Sequence, residues 1–268
     1  MALLEVNDIH VSYGSIVALR GVTLQVHAGE RVALLGANGA GKSTTLRAIS
    51  GMNGVKTGSI HMDGQPIHNL PPYEVVKHGI THGPEGRELF GALTVEENLR
   101  LGFWPQLKKG AGKGDYHAAL DRVYGQFPRL KERRKQEAVT MSGGEQQMLV
   151  MARALMSSPK VLMMDEMSLG LAPMIVQQLF DIAAEVNQQG TAVVIVEQFV
   201  HTALNNTDRA YVLEKGTVVL EGKSKDLLAD PELLAAYLGE SGEQAAAAEA
   251  AEAKPAKPAA KRTSRAKS

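Results

Sequence analysis

Residues 36–44 read GANGAGKST and fit the pattern G-x-x-x-x-G-K-[ST]. They follow a short apolar segment, RVALL at 31–35, and overlap a segment with helical spacing at 42–50. Glycines let the backbone curl until successive N–H groups point to one centre, and the following helix adds its N-terminal dipole. A strand, a glycine-rich loop and a helix in this order predict a phosphate-binding loop within an α/β fold.

The loop also predicts which groups contact the phosphates. Lys42 places a positive charge against the β- and γ-phosphates, and Ser43 offers its hydroxyl to Mg²⁺, which prefers octahedral oxygen ligands. An ordinary glycine-rich turn before a helix is the alternative interpretation. The residues expected to bind the nucleotide are Gly36, Asn38, Gly39, Ala40, Gly41, Lys42, Ser43 and Thr44.

A second polar site is predicted where residues 161–166 read VLMMDE. Four apolar residues before two acids indicate a buried strand that ends at a polar edge, and ligands collect at such edges of parallel sheets. Asp165 is expected to hold Mg²⁺, directly or through water. Glu166 is expected to orient and polarise a water for in-line attack on the γ-phosphate. An ordinary solvated strand end is the alternative.

The remaining pattern alternates strand-like and helix-like segments and indicates an α/β class. Residues 3–11 and 17–26 alternate as half-buried antiparallel strands, whereas 160–164 and 191–196 are apolar runs suited to a parallel sheet. A helical insert is predicted between about 86 and 139, and a hairpin at 209–220. Short helices are expected near 225–228 and 231–238.

The composition argues against a wholly disordered chain, a collagen or a coiled coil. The chain has 268 residues, no Cys, 44% hydrophobic residues, and 29 basic against 29 acidic side chains. This balance gives no reason to expect a nucleic-acid partner, and no apolar run is long enough to span a membrane. Glu5 and Asp8 interrupt the N-terminal stretch where a secretory signal keeps its apolar core, so we expect a cytoplasmic chain.

Residues 243–268 read EQAAAAEAAEAKPAKPAAKRTSRAKS and contain no aromatic residue, Leu, Ile or Val. Such a segment cannot bury enough apolar surface to offset the cost of ordering its backbone, so a disordered tail is expected. A tail without a role and a weak basic contact with anionic lipid or RNA are both open interpretations.

A third motif, Ser142-Gly143-Gly144-Glu145-Gln146-Gln147, opens a predicted helix. A hydroxyl, two glycines and a helix N-terminus make a second anion site. The motif resembles the LSGGQ-type signature of ATP-binding cassette (ABC) ATPases, and the resemblance covers residues 3–239. It implies an ABC cassette over 1–242, with an N-terminal antiparallel β subdomain, a RecA-like core and a helical subdomain at about 86–158. ATP would then lie between the phosphate loop of one chain and residues 142–145 of another, in a head-to-tail dimer.

The resemblance also assigns expected roles to single residues. Tyr13 matches the aromatic residue that stacks on adenine, with a plain surface Tyr as the alternative. Glu85 stands where the family usually has a Gln that contacts Mg²⁺. Ala172 replaces the usual Asp of the loop after Glu166, and Gln198 replaces the usual switch His. We therefore expect Glu166 to be the general base, assisted by Lys42 and by the uncharged amide of Gln198.

Four segments narrow the resemblance to LivF-type ATPase subunits of branched-chain amino acid importers: PEGRELF (84–90), MSGGEQQML (141–149), DEMSLGLAP (165–173) and IVEQ (195–198). Such a subunit hydrolyses ATP at the cytoplasmic face of the inner membrane. Its implied partners are a second cassette chain (paralogue or self), permease subunits and, indirectly, an extracytoplasmic solute-binding protein.

Three other functions are compatible with the sequence. They are the ATPase of an importer for urea, amides or another polar solute, a cassette ATPase that acts on ribosomes or DNA, and a small-molecule kinase. Leu89, Phe90 and Leu93 are candidates for the contact with a permease helix, and ordinary core packing is the other interpretation of these three side chains.

Overall fold

The computed structural model describes residues 2–230. The expected helix at 231–238 and the expected disordered tail at 243–268 lie outside this part of the chain. The strands are β1 Leu4–Tyr13, β2 Ile16–Val26, β3 Arg31–Leu35, β4 Thr57–Met62, β5 Gln65–Pro66, β6 Ile80–Gly83, β7 Val161–Asp165, β8 Ala192–Val196, β9 Arg209–Glu214 and β10 Thr217–Lys223.

The helices alternate with these strands along the chain. They are α1 Lys42–Ile49, α2 Pro72–Val75, α3 Val95–Gly102, α4 Trp104–Lys108, α5 Lys113–Gln126, α6 Pro128–Glu132, α7 Gly143–Leu155, α8 Pro173–Gln188, α9 Val200–Asn205 and α10 Ser224–Leu228, with 3₁₀ turns at Val76–His78 and Ala138–Thr140. None of the helices within residues 2–230 is long and apolar enough to cross a bilayer.

The strands form two sheets. One is antiparallel, with the order β2-β1-β4-β5, and the other has the order β10-β9-β3-β8-β7-β6. In the second sheet every neighbouring pair is parallel except the β9–β10 hairpin. The predicted α/β class, the N-terminal antiparallel strands and the parallel core are confirmed.

Strand β7 shows why an unbroken apolar run suits the centre of this sheet. Leu162 and Met164 belong to a core cluster with helices α3, α5, α7 and α8. Val161 and Met163 point the other way, into a cluster with α1 and the antiparallel sheet. Because successive side chains alternate between two covered faces, all of them must be apolar.

Helices α3 to α6 lie within the predicted insert at about 86–139, and α7 follows it at Gly143–Leu155. We propose this part as the helical subdomain, about 86–158, of a domain spanning 1–242. The insert also contains Leu89, which is partly buried against the apolar cluster of these helices. Phe90, by contrast, is 54% exposed. Core packing therefore accounts for Leu89 but not for Phe90.

The parallel register decides where the polar loops meet. Strands β3, β8, β7 and β6 lie side by side, and parallel strands end at the same edge of a sheet. The loops after these four strands are 36–41, 197–199, 166–172 and 84–94, so they share one edge. Strand β6, which reads ITHG, is too short for a period of two to reveal it in the sequence, yet it positions Glu85.

Candidate active site

The loop at 36–44 depends on glycine at two positions. Gly36 has φ 146°, and a Cβ there would lie 2.3 Å from the carbonyl oxygen of Leu213. Gly41 has φ 109°, and its Cβ would lie 2.7 Å from Cδ2 of Leu19. Both the backbone conformation and the surrounding atoms therefore exclude a side chain. No side chain caps helix α1, which leaves its first amides for a ligand.

Lys42 is folded back over this loop. Its Nζ donates to the carbonyl oxygens of Gly36 at 2.8 Å and Ala37 at 3.2 Å, and lies 3.9 Å from Oε1 of Glu166. Only 4% of Lys42 is exposed. Burial lowers the pKa of Lys42, while the negative charges of Glu166 and Asp165 oppose that shift. The ammonium group is thus held at the mouth of the loop by carbonyls that phosphate oxygens can replace.

Ser43 and Asp165, 122 residues apart, meet beneath the loop. Ser43 Oγ donates to Asp165 Oδ1 at 3.2 Å, whereas Asp165 Oδ2 is buried and has no hydrogen-bond partner. Burial raises the pKa of Asp165 to about 6, against the effect of the Ser43 hydrogen bond. An unpaired buried carboxylate oxygen beside a hydroxyl fits a hard cation such as Mg²⁺.

Glu166 is fixed by the end of strand β8. Its N–H donates to the carbonyl of Val196 at 2.9 Å, and its Oε2 accepts from Nε2 of Gln198 at 2.9 Å. Its φ of 47° is unusual for a residue other than glycine. The carboxylate therefore has a defined position next to Lys42, and Gln198 acts on it directly.

A cleft of about 550 Å³ joins these groups. Glu85, an exposed side chain after β6, also lines it. The structure thus brings the phosphate loop, Glu166, Glu85 and Gln198 together. The lining residues are Ala18, Asn38, Gly39, Gly41, Lys42, Ser43, Thr44, Glu85, Glu166, Leu169 and Gln198.

Tyr13 lies beside the cleft. Its hydroxyl is 3.5 Å from Oγ1 of Thr44 and accepts a hydrogen bond from Nδ2 of Asn53 at 2.6 Å. The side chain is 46% exposed, so the ring has a free surface. Its position next to helix α1 is compatible with the expected stacking on adenine.

The predicted second anion site lies elsewhere in the chain. Ser142 caps helix α7 because its Oγ accepts from the Glu145 N–H at 3.4 Å. The same Oγ donates to Oε2 of Glu145 at 2.9 Å, and the Ser142 N–H donates to that oxygen at 3.1 Å. Arg133 pairs with the other oxygen of Glu145 at 3.0 Å. A Cβ at Gly143 would press on the Arg87 guanidinium, and one at Gly144 would lie 2.9 Å from Ile175. Within residues 2–230, none of 142–145 lines the cleft.

Sequence reasoning missed one buried acid at this edge. Glu197 is 1% exposed and accepts hydrogen bonds from the N–H of Ser168 at 3.1 Å and from its hydroxyl. Burial raises the pKa of Glu197 to about 7, although the Ser168 hydrogen bonds oppose the shift. The signal was available, because an acid follows the apolar run at 192–196 just as Asp165 follows 161–164.

Fold and site together define an ATPase of the cassette type. A family model described as ABC transporter matches residues 19–168, which is more than half of the chain. The chain therefore belongs to the ABC transporter family, and the expected family is confirmed. Among curated proteins, it is 47% identical over 237 residues to the high-affinity branched-chain amino acid transport ATP-binding protein BraG of Pseudomonas aeruginosa, covering 88% of this chain and 100% of BraG.

Solved structures agree with this assignment. A nucleotide-free ATP-binding cassette from an ABC transporter superposes with a TM-score of 0.78 at 27% identity, covering 90% of this chain and all of that one. A dimeric cassette bound to ADP and phosphate in a post-hydrolysis state superposes with a TM-score of 0.74 at 25% identity, covering 82% of this chain and 98% of that one. The expected cassette fold is thus confirmed.

Proposed function

We propose that this ABC ATPase energises the uptake of branched-chain amino acids (leucine, isoleucine and valine) as a peripheral subunit at the cytoplasmic face of the inner membrane. The observation that carries the proposal is the convergence of Lys42, Glu166 and Gln198 on one cleft. The similarity to BraG, which extends over the full length of that protein, supports branched-chain amino acids as the solute.

In the proposed reaction, the loop amides and Lys42 hold the phosphates of ATP, and Lys42 Nζ exchanges its two carbonyl partners for phosphate oxygens. Glu166 orients a water and takes its proton as the water oxygen bonds to the γ-phosphorus and the bond to ADP breaks. Gln198 keeps the Glu166 carboxylate in place. Positioning and electrostatics supply the catalysis.

Ser43, Asp165 and Glu85 are the residues that would hold Mg²⁺. The buried, unpaired Oδ2 of Asp165 fits this role, since a hard cation would satisfy it. When bound, Mg²⁺ neutralises charge on the phosphate oxygens.

The signature residues act on the ATP of another chain in this proposal. Ser142 and Glu145 do not line the cleft of their own chain, so they need a second cassette, a paralogue or another copy, packed head to tail. Helix α7 would then direct its first amides at the γ-phosphate. The similar cassette solved with ADP and phosphate is a dimer, which supports pairing of two cassettes. Because the chain has no Cys, one Cys introduced into each of two chains reports such a contact without interference from native thiols.

Asn38→Cys in one chain should cross-link to Ser142→Cys in another only when ATP is bound and the Glu166→Gln change blocks hydrolysis. The matched control is Asp121→Cys, at an exposed site on α5, in place of Ser142→Cys. Cross-linking that does not depend on ATP, or that appears equally with Asp121→Cys, would contradict the head-to-tail dimer.

A groove beside α4 is the proposed contact with a cytosolic helix of the permease. Phe90, Leu101 and Trp104 supply its apolar surface, and Trp104 is 56% exposed. The Arg153 guanidinium lies 5.8 Å from the Phe90 ring and donates to the carbonyl of Glu88 at 3.0 Å. Since 84–94 also carries Glu85, movement at the cleft would reach this groove through a short segment.

Purification from membranes tests the function. The full chain should co-purify with permease subunits, and vesicles that contain the complex and an extracytoplasmic solute-binding protein should accumulate leucine when ATP is supplied. The Glu166→Gln complex should assemble but not transport. Uptake of urea or an amide instead of leucine would reject the solute, and association with ribosomes rather than membranes would reject the transport role altogether.

A further inference from the structure

The end of strand β8 holds the start of the loop after β7 at three consecutive positions. The carbonyl of Val196 accepts from the N–H of Glu166 at 2.9 Å. The carboxylate of Glu197 accepts from the N–H of Ser168 at 3.1 Å and from its hydroxyl. The amide of Gln198 donates to Oε2 of Glu166 at 2.9 Å. The contacts of Val196 and Gln198 fix the position of Glu166, and those of Glu197 fix the position of Ser168.

Glu197 does not itself contact the reacting groups in the proposed mechanism. It is buried and does not line the cleft, and both of its side-chain oxygens receive hydrogen bonds from one residue, Ser168. Burying a carboxylate is unfavourable even when it is hydrogen-bonded. Both oxygens of this buried group are used on Ser168, so the contact constrains the backbone of the loop after β7.

The held segment borders the reaction. Glu166 adopts the left-handed region at φ 47°, which is strained for a residue other than glycine and persists only when neighbouring contacts enforce it. Leu169, one residue beyond Ser168, lines the cleft. Releasing Ser168 would let the backbone of 166–168 relax toward an unstrained conformation and move the carboxylate of Glu166.

We propose that Glu197 is a positioning residue for ATP hydrolysis. By accepting two hydrogen bonds from Ser168, it fixes the backbone of 166–168 and thereby places the Glu166 carboxylate against the attacking water. The inference rests on the proposed function, because it needs Glu166 as the base. Glu197 has no contact with ATP in this proposal. Removing its hydrogen bonds to Ser168 should therefore lower kcat and leave the Kd for ATP unchanged.

Kinetics of the purified full chain separate this role from a purely structural one. Glu197→Ala should lower kcat by about 10- to 100-fold, since misplacement of a reacting group by about 1 Å costs that much. The KM and the equilibrium Kd for ATP should stay within about twofold of the wild-type values. Glu197→Gln should recover most of the rate, because its amide oxygen still accepts from the Ser168 N–H and its NH₂ can donate to the Ser168 hydroxyl.

Two further measurements make the test specific. Hydrogen exchange at the Ser168 amide should accelerate in Glu197→Ala. Thr207→Ala is the matched control, because it removes a buried hydroxyl that donates to the carbonyl of Ala203 at 2.8 Å, outside the cleft lining. It should lower the melting temperature without lowering kcat. If Glu197→Ala fails to fold, Ser168→Ala removes the hydroxyl contact with Glu197 and keeps the N–H contact, and it should lower kcat with the Kd for ATP unchanged.

The outcomes are distinguishable. If Glu166→Gln is inactive while Glu197→Ala and Ser168→Ala keep a kcat within twofold of wild type per folded molecule, the positioning role is overturned and the proposed function survives. Equal losses of kcat in Glu197→Ala and Glu197→Gln would also overturn it, since only the charge would then matter. Normal turnover by Glu166→Gln would overturn the base assignment and this inference together.

Discussion

The Asp165 carboxylate is expected to reduce the stability of the nucleotide-free protein, and Asp165→Asn is expected to restore it. Burial raises the pKa of Asp165 from its ordinary 3.8 to about 6. Between these two values the folded state binds more protons at this site than the unfolded state does. The free energy of unfolding contributed by Asp165 therefore falls as pH rises through that window and is constant above it.

The size of the effect follows from the shift. Each pKa unit corresponds to about 1.4 kcal/mol, so the shift from 3.8 to about 6 is worth about 3 kcal/mol in full. The penalty is near zero well below pH 3.8, is partial at pH 5 and reaches about 3 kcal/mol at pH 7. The substituted amide can keep the hydrogen bond from Ser43 through its oxygen. Any cost of burying its NH₂ is the same at every pH and drops out of the pH dependence.

Urea unfolding of the full chain in EDTA, without nucleotide, measures this difference at pH 5, 6 and 7. The free energy of unfolding of Asp165→Asn relative to wild type should increase by roughly 1 to 2 kcal/mol from pH 5 to pH 7. Asp121→Asn, which neutralises an exposed acid on α5, is the matched control and should show no comparable trend. A difference that stays constant over this range, or that shrinks with rising pH, would refute the buried, unpaired state of the Asp165 carboxylate.

Three further changes have expected outcomes. Glu166→Gln should lower the rate of ATP hydrolysis at least about 100-fold, because it removes the general base. The variant should keep its affinity for ATP and accumulate as an ATP-bound dimer on size exclusion. Normal turnover would contradict the assignment of Glu166 as the base. The free energy of unfolding of Gly36→Ala should be at least about 2 kcal/mol lower than that of Gly39→Ala, because of these two only the Cβ at position 36 meets a backbone oxygen. Equal urea midpoints would contradict this prediction. Arg209→Met should cost about 2–4 kcal/mol in thermal unfolding, because it leaves Glu30 without the guanidinium that it contacts at 2.8 Å; an unchanged melting temperature would contradict that estimate.

The structure also assigns Gln198 a partner that resemblance did not. The sequence predicted only that this amide assists Glu166, and in the structure its Nε2 donates to Oε2 of Glu166 at 2.9 Å. An uncharged donor at this position stabilises the carboxylate without competing for its proton, which is consistent with Glu166 as the base.

The sequence alone predicted the α/β class, the phosphate loop and the acids at the end of β7, because these features are local. A glycine-rich turn between an apolar run and a helix depends only on neighbouring residues, and so does the alternation that buries β7 on both faces. Tertiary packing decided which distant groups meet: Ser43 with Asp165, Ser168 with Glu197, and Glu166 with Gln198. Those pairs depend on the order β3-β8-β7-β6 and on its parallel register, which no local period encodes, since strand order is settled by packing across the whole sheet.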